Sequence, residues 1–242
     1  MMISDVYHMA QGLTDLLFPP RCLACENAPG GDTPFCHECA SRITFIGDAL
    51  CPSCGIPYGT AGGDRHLCGD CIIAPPPFSL ARALGVYESI LMSAIHRFKY
   101  GGKIAVGNAL GDSMASREYD SLHIAGYDLI IPVPLHPSKL RRRGFNQALI
   151  LARRIAKKYR IPLDFTTLRR TKPTPAQVEL SGDDRRKNVR GAFAVETKRA
   201  VEGRRVLLID DVYTTGSTVK ECARVLMRAR ASEVAVLTLA RT

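Results

Sequence analysis

The chain has 242 residues, 46% of them hydrophobic, and it contains no tryptophan. That is enough apolar material for one large domain, or a medium domain with a small module, and it excludes a chain disordered throughout. Lys and Arg outnumber Asp and Glu 33 to 23, a formal net charge of +10, which suits nucleic acid, phosphate-bearing small molecules or anionic surfaces without choosing among them.

The chain opens with "MMISDVYHMAQGLTDLLF", where Ile3, Val6, Met9, Leu13, Leu16 and Leu17 fall at helical spacing. This predicts a short docking helix over residues 1–20. Asp5 and Asp15, without a basic start, exclude a signal-peptide reading. No apolar run approaches the roughly 18–20 residues that span a bilayer. A cytoplasmic protein with no membrane insertion is therefore expected.

Eight of the nine cysteines form four C-x-x-C pairs: Cys22/Cys25, Cys36/Cys39, Cys51/Cys54 and Cys68/Cys71. A two-residue gap lets both thiolates of a pair face one tetrahedral ion, and two pairs complete a four-sulfur shell. Eight ligands predict two structural zinc ions, because four thiolates leave no open position for water. Spacing alone leaves the pairing open, sequential or interleaved. A disulfide framework or four redox pairs in fifty residues fits a chain without a secretory signal poorly. Residues 21–77 hold three cations (Arg21, Arg42, Arg65) and six acids (Glu26, Asp32, Glu38, Asp48, Asp64, Asp70). That acidic balance suits a docking piece for protein partners better than a principal DNA contact. Pro75, Pro76 and Pro77 form a stiff connector, so a zinc module over 21–77 and a second domain over 78–242 are expected.

In the second domain "ARALGVYES" reads as a strand, and "SILMSAIHRFKYGGK" as a helix stopped by Gly101 and Gly102. "AVGNALGDSMASREY" continues as another helix. "DLIIPVPLH" is a buried strand broken by Pro132 and Pro134. "NQALILARRIAKKY" is an amphipathic helix with Leu149, Ala152, Ile155, Ala156 and Tyr159 on one face. After "FAVE", a short strand, come the buried strand "RRVLLID", the helix "GSTVKECARVLMRAR" with Cys222 in its core face, and the closing strand "EVAVLTLAR". Alternating strands and helices predict a mostly parallel sheet covered on both faces, with ligands at the carboxyl ends of its strands.

"VLLIDDVYTTGST", residues 206–218, carries the chemistry. If Val206 to Ile209 are buried, Asp210 and Asp211 emerge at the strand end, where adjacent carboxylates need hydroxyl donors or a cation between them. Thr214, Thr215, Gly216, Ser217 and Thr218 open the next helix, where free amides and the helix dipole favour an anion. A simple helix cap explains one of these hydroxyls and leaves the acids and the glycine unexplained. Acids for sugar hydroxyls beside amides for phosphate describe a ribose 5-phosphate site. No Walker-type phosphate loop occurs in the chain.

This stretch resembles the phosphoribosyl pyrophosphate signature of the type I phosphoribosyltransferases. Together with the cysteine pairs, "FKYGGK", "IPVPLHPSKLRRRGFNQA" and "RTKPTPAQVELSGDDRRKNVRGAF", it resembles the ComF family of competence-related proteins over nearly the whole chain. The resemblance implies a double zinc ribbon followed by a type I phosphoribosyltransferase-like α/β fold. It implies that Asp210 and Asp211 hold ribose hydroxyls, directly or through Mg²⁺, and that Thr214 to Thr218 cradle the 5-phosphate. Pro132, Val133 and Pro134, with Leu135 and His136, would fall on the loop that meets the diphosphate, and residues 169–190 on a mobile hood. It further implies a role for some members with incoming single-stranded DNA and DNA-uptake partners.

Two functions follow. One is phosphoribosyl transfer, with Arg141, Arg142, Arg143 and Lys99 neutralising the diphosphate. The other is single-stranded DNA handling, since residues 139–190 hold 16 Lys/Arg against 4 Asp/Glu, a net +12, with Phe145 beside three arginines. His96 and His136 are read as hydrogen-bonding residues rather than as acids or bases.

Overall fold

A computed structural model describes residues 21–29, 34–59, 65–100, 104–172 and 189–242. The helix expected over 1–20, and most of the basic stretch assigned to a hood, lie outside these residues. Four parallel strands form the central sheet in the order β1 (Ala81–Val86), β6 (Glu233–Arg241), β5 (Arg205–Tyr213), β2 (Leu129–Pro132). The strands read as unbroken apolar runs because both faces are covered. Leu207 and Ile209 pack on one side of β5, whereas Val206 and Leu208 pack on the other.

The first face is covered by α3 (Ser89–Tyr100), α4 (Ile104–Ser116) and α6 (Gln147–Tyr159). Leu91, Ile95, Phe98, Leu110, Met114, Leu151 and Ile155 fill that layer and are fully buried. Leu149, expected on the packed face of α6, sits at its margin and is half-buried, while Ile150 and Leu151 take the central positions. The second face is covered by α7 (Ser217–Arg228), through Val219, Cys222 and Leu226. Cys222 is thus a core residue, as its spacing implied.

β3 (Leu168–Arg170) and β4 (Phe193–Val195) form a separate antiparallel pair. The "FAVE" strand therefore stands apart from the parallel sheet, pairing with a three-residue strand that periodicity alone does not reveal. A seven-residue helix, α5 (Pro137–Arg143), occupies a segment for which no helix was expected. Its signals are local: His136 caps it through Nδ1, Pro137 opens it, and Gly144 at φ 82° ends it.

The cysteine module, with its short helices α1 (His37–Ser41) and α2 (Gly69–Ile73), lies along the free edge of β1. Ala81 N–H donates to the Ser53 carbonyl at 2.7 Å, Val86 N–H to Thr44 at 2.9 Å, and Ile46 N–H to Leu84 at 3.3 Å. An edge strand that would otherwise expose its ladder is thereby covered. No helix among the described residues is long and apolar enough to cross a membrane.

Gly107 and Gly111, one turn apart on α4, allow the close approach of α3 and α6. A Cβ on Gly107 would meet the Phe98 ring at 2.2 Å and Ile150 Cγ2 at 2.9 Å. Phe98 is fully buried and stacked on Phe145, so it has no room to yield. Gly107→Ala is expected to destabilise the protein by about 1–3 kcal/mol, although alanine is the better helix former by about 1 kcal/mol. Denaturant unfolding with an unchanged slope measures this; stability at or above wild type would show that the core can absorb the methyl.

Candidate active site and zinc sites

The eight paired cysteines gather into two tetrads, Cys22/Cys25/Cys36/Cys39 and Cys51/Cys54/Cys68/Cys71, in each of which the sulfurs lie within 4.8 Å of one another. The pairing is sequential, not interleaved. Cys25 and Cys36 sulfurs are 3.6 Å apart, as are those of Cys54 and Cys68. That is close to the edge of about 3.8 Å that a tetrahedron with Zn–S bonds of about 2.3 Å requires. Backbone amides turn toward sulfur at Cys39 N to Cys36 Sγ (3.5 Å) and Cys68 N to Cys51 Sγ (3.4 Å). The donor set fits two structural zinc ions.

In the central sheet, β2 stops at Pro132, paired with Ile209, while β5 continues through Asp210 to Tyr213 against β6. The two acids therefore belong to the strand rather than emerging after it, but on the β2 side they have no neighbouring strand. A cavity of about 600 Å³ opens there, and Asp210, Asp211, Thr214 and Thr218 line it. Thr214, Gly216, Ser217 and Thr218 also line a smaller hollow beside it, again with Asp210. The helix cap is Gly216 itself, at φ 71°, with no side-chain cap bond. Thr215 and Ser217 hydroxyls meet at 2.7 Å. The turn is thus not a Ser/Thr cap.

The acids are unequal. Lys99 Nζ lies 2.9 Å from Asp211 Oδ2. Burial works against the Lys99 charge, but the Asp211 and Asp210 carboxylates outweigh it and raise its pKa. Burial first, and then the Asp211 charge, push Asp210 up to about 7. Asp210 Oδ1 accepts the Asp211 N–H at 2.9 Å.

The facing wall is cationic: Lys139 and Arg142 from α5, Arg143 from its end, and Arg170 from β3. Burial, followed by Arg170, Arg143 and Arg142, depresses the Lys139 pKa. Burial likewise lowers that of Arg170. Crowded cations of this kind are relieved by a polyanion. Val133 and Leu135 line the cavity, whereas Pro132, Pro134 and Arg141 do not reach its wall. Phe145 does not stand among the arginines: its ring stacks on Phe98 at 5.6 Å, against the core. The aromatic at the cavity rim is Tyr100, 71% exposed, with the Arg143 guanidinium 5.6 Å above its ring. His96 also lines the cavity and meets the Tyr87 hydroxyl at 2.9 Å, while His136 is a helix cap.

Gln147 is the wall residue that sequence reasoning missed. It is 2% exposed, its Oε1 accepts from Arg143 Nη1 at 2.8 Å, and its Nε2 has no partner among the described residues. Its signal was the Asn146 cap, whose side chain accepts from Ala148 N–H and puts Gln147 at the first turn of α6.

Fold and site together define a zinc-ribbon protein with a phosphoribosyltransferase-type domain. A double zinc ribbon domain matches residues 13–72 and a phosphoribosyl transferase domain matches residues 141–242. DNA utilization protein YhgH of Escherichia coli (strain K12) is 34% identical over 232 residues, spanning 94% of this chain and 99% of that protein. Competence protein F of Haemophilus influenzae is 32% identical over 220 residues, 85% of this chain and 96% of that one. Competence protein ComFC of Bacillus subtilis is 28% identical over 220 residues, 87% and 85% of the two chains. The chain belongs to the ComF family.

Asp210 makes stability pH-dependent. Its folded pKa lies above the unfolded value of about 3.9, so the native state holds a proton that the unfolded chain has lost. The stability associated with that proton is present below about pH 4 and is lost as pH rises toward about 7. Asp210→Asn keeps the shape and removes the titration. It is expected to be more stable than wild type by about 2 kcal/mol at pH 8, the gain vanishing by about pH 4. Thermal unfolding across that range checks it; a pH-independent difference would refute the assignment.

Proposed function

We propose that the cavity beyond β5 binds phosphoribosyl pyrophosphate, or a related ribose 5-phosphate group, together with Mg²⁺. The observation that carries this reading is the division of one cavity into two banks. Asp210, Asp211 and the Thr214–Thr218 turn stand on one side, and Lys139, Arg142, Arg143 and Arg170 on the other. Carboxylates accept from ribose hydroxyls, directly or through the metal. Amides at the start of α7 and the Thr214 and Thr218 hydroxyls receive the 5-phosphate. The cationic bank receives the diphosphate, where guanidinium groups bind phosphate oxygens in pairs.

Such a site supports displacement at ribose C1, in which an acceptor nucleophile forms a bond to C1 as diphosphate departs. Positive charge grows on the sugar as the C1–O bond to diphosphate breaks, and the leaving oxygens gain charge that Arg142, Arg143 and Lys139 can meet. Magnesium, when bound, neutralises part of the diphosphate charge; Asp210 and Asp211 are the groups that would hold it. Lys99 Nζ, 2.9 Å from Asp211 Oδ2, orients that carboxylate.

A second reading, single-stranded DNA handling, draws support from Arg143 stacked on the exposed Tyr100 at the rim. Cation-lined surfaces with an accessible aromatic suit unpaired bases. The names of the relatives, competence and DNA utilization, point the same way. On that reading the acidic zinc module docks DNA-uptake proteins, and the cavity and its rim act together.

Calorimetry separates the two. Phosphoribosyl pyrophosphate with Mg²⁺ should bind wild type, and Asp210→Asn/Asp211→Asn should weaken it by about tenfold or more. Equal or negligible heats for both proteins would sink the first reading. Arg142→Ala/Arg143→Ala should reduce the salt slope of oligonucleotide binding by roughly 1.4, about 0.7 for each phosphate that an arginine neutralises. An unchanged slope would remove this rim from any DNA path.

A further inference from the structure

Arg241, the last residue of β6, is 6% exposed, and neither the core nor the cavity explains a guanidinium buried there. Its Nη1 donates to the Cys54 carbonyl at 2.7 Å, and its Nη2 lies 3.5 Å from Cys54 Sγ. Its Nε is buried with no partner, and no carboxylate pairs with the side chain among the described residues. The guanidinium carbon lies 4.1 Å from the centre of the Tyr213 ring. A buried charge needs a counter-charge. Four thiolates around one divalent ion carry a net charge of about −2, which the second tetrad would present at this position.

Tyr213 lies opposite Arg241 in the β5–β6 ladder and is buried. Its ring fills the space under the phosphate turn, since a Cβ on Gly216 would come within 2.3 Å of it. Direct contacts thus run from Cys54 through Arg241 and Tyr213 to Gly216. The first tetrad is seated elsewhere: Cys22 and Cys39 join the core layer under α3 and α4, and Arg97 donates to the Ala24 carbonyl.

We propose that Arg241 is a positioning residue that couples metal occupancy of the Cys51/Cys54/Cys68/Cys71 tetrad to the shape of the Thr214–Thr218 turn. With the ion in place, the Pro52–Gly55 knuckle holds the Cys54 carbonyl and sulfur against the guanidinium. The guanidinium then pins the Tyr213 ring beneath Gly216. Loss of the ion frees the knuckle, because metal binding supplies the folding energy of so small a unit. The turn then loses its floor. By linkage, whatever orders the turn also tightens binding of that ion, and of that ion alone. The coupling rests on the geometry of the turn; its consequence for ligand affinity rests on the reading proposed above.

Hydrogen exchange on the full zinc-loaded chain tests it without any ligand. Arg241→Met preserves most of the buried stem and removes the charge and the donors. In this variant, exchange over residues 213–219 should rise about tenfold, and one of the two zinc ions should show release to a chelator at about tenfold lower chelator concentration, the other at the wild-type concentration. Exchange and release that match wild type would overturn the proposal. If the variant does not fold, partial chelation of wild type decides. Turn exchange should rise in step with alkylation of Cys54 and Cys68, and not with that of Cys25 and Cys36. Exchange that tracks both tetrads equally, or neither, overturns it. Ribose 5-phosphate binding is read separately by calorimetry: no heat from wild type defeats the ligand reading, while exchange still decides the coupling.

Discussion

Proline ends β2 at residue 132, while β5 runs on to Tyr213 with β6 alongside. The last tie across the gap is Val133 N–H to the Ile209 carbonyl at 2.8 Å. Beyond it, four residues of β5 have a strand on one side and open space on the other. The chain leaving β2 cannot fill that space, because it turns away into α5 and then α6, held by Asn146 Nδ2 on the Val133 carbonyl. The cavity, the exposure of both acids to it, and the approach of the cationic helix end all follow from this mismatch in strand length. It is the carboxyl-end crevice of a parallel sheet, made deeper by proline.

Apart from the Lys99–Asp211 pair, the cavity takes its acids from β5 and its cations from α5 and β3. Among the described residues Lys99 pairs with Asp211 at 2.9 Å, and it comes from α3 rather than from α5 or β3. Had Lys139 or Arg142 folded onto Asp210, neither bank would be available. The separation has a cost visible in the shifted groups: Asp210 holds its proton to about pH 7, and the Lys139 charge is disfavoured by burial and by its arginine neighbours. Sites that accept such costs are disproportionately functional. The ligand proposed above, with ring hydroxyls between a 5-phosphate and a diphosphate, would meet both kinds of group here.

Much of this was legible in residue order because its signals are local or strongly periodic. C-x-x-C spacing, the apolar runs of β5 and β6, and the acids followed by a glycine turn each lie within a dozen residues. What escaped was decided by distant partners. The β3–β4 pair joins Leu168–Arg170 to Phe193–Val195, so neither strand declares its partner in its own pattern. Phe145 looked like a stacking platform because three arginines precede it, yet Gly144 at φ 82° reverses the chain and sends the ring inward onto Phe98. Tyr100 took the rim instead, and its position follows from helix α3, not from neighbouring cations. Gln147 was hidden for a similar reason: its importance lies in a clamp by Arg143 and an amide left without a partner, neither of which composition can report.

The zinc module bears on the fold as well as on itself. β1 is the edge of the central sheet, and its outer ladder is answered by backbone groups of Thr44 and Ser53. Gly55, at φ 72°, brings the second knuckle so close that a Cβ would lie 2.3 Å from the Ala81 carbonyl oxygen. Arg82, buried in β1, donates to the Pro52 carbonyl at 3.1 Å and pairs with Asp120 at 3.2 Å, which ties the knuckle, the edge strand and the loop after α4 together. A module held by sulfur and metal needs little hydrophobic core of its own, so it can present backbone to a sheet edge at close range. The same closeness leaves a guanidinium at the end of β6 with one face on a cysteine and the other on the aromatic floor of the Thr214–Thr218 turn. The edge cover and the site are therefore not separable parts: the strand that carries Arg241 pairs with both β1, which the module protects, and β5, which carries the acids.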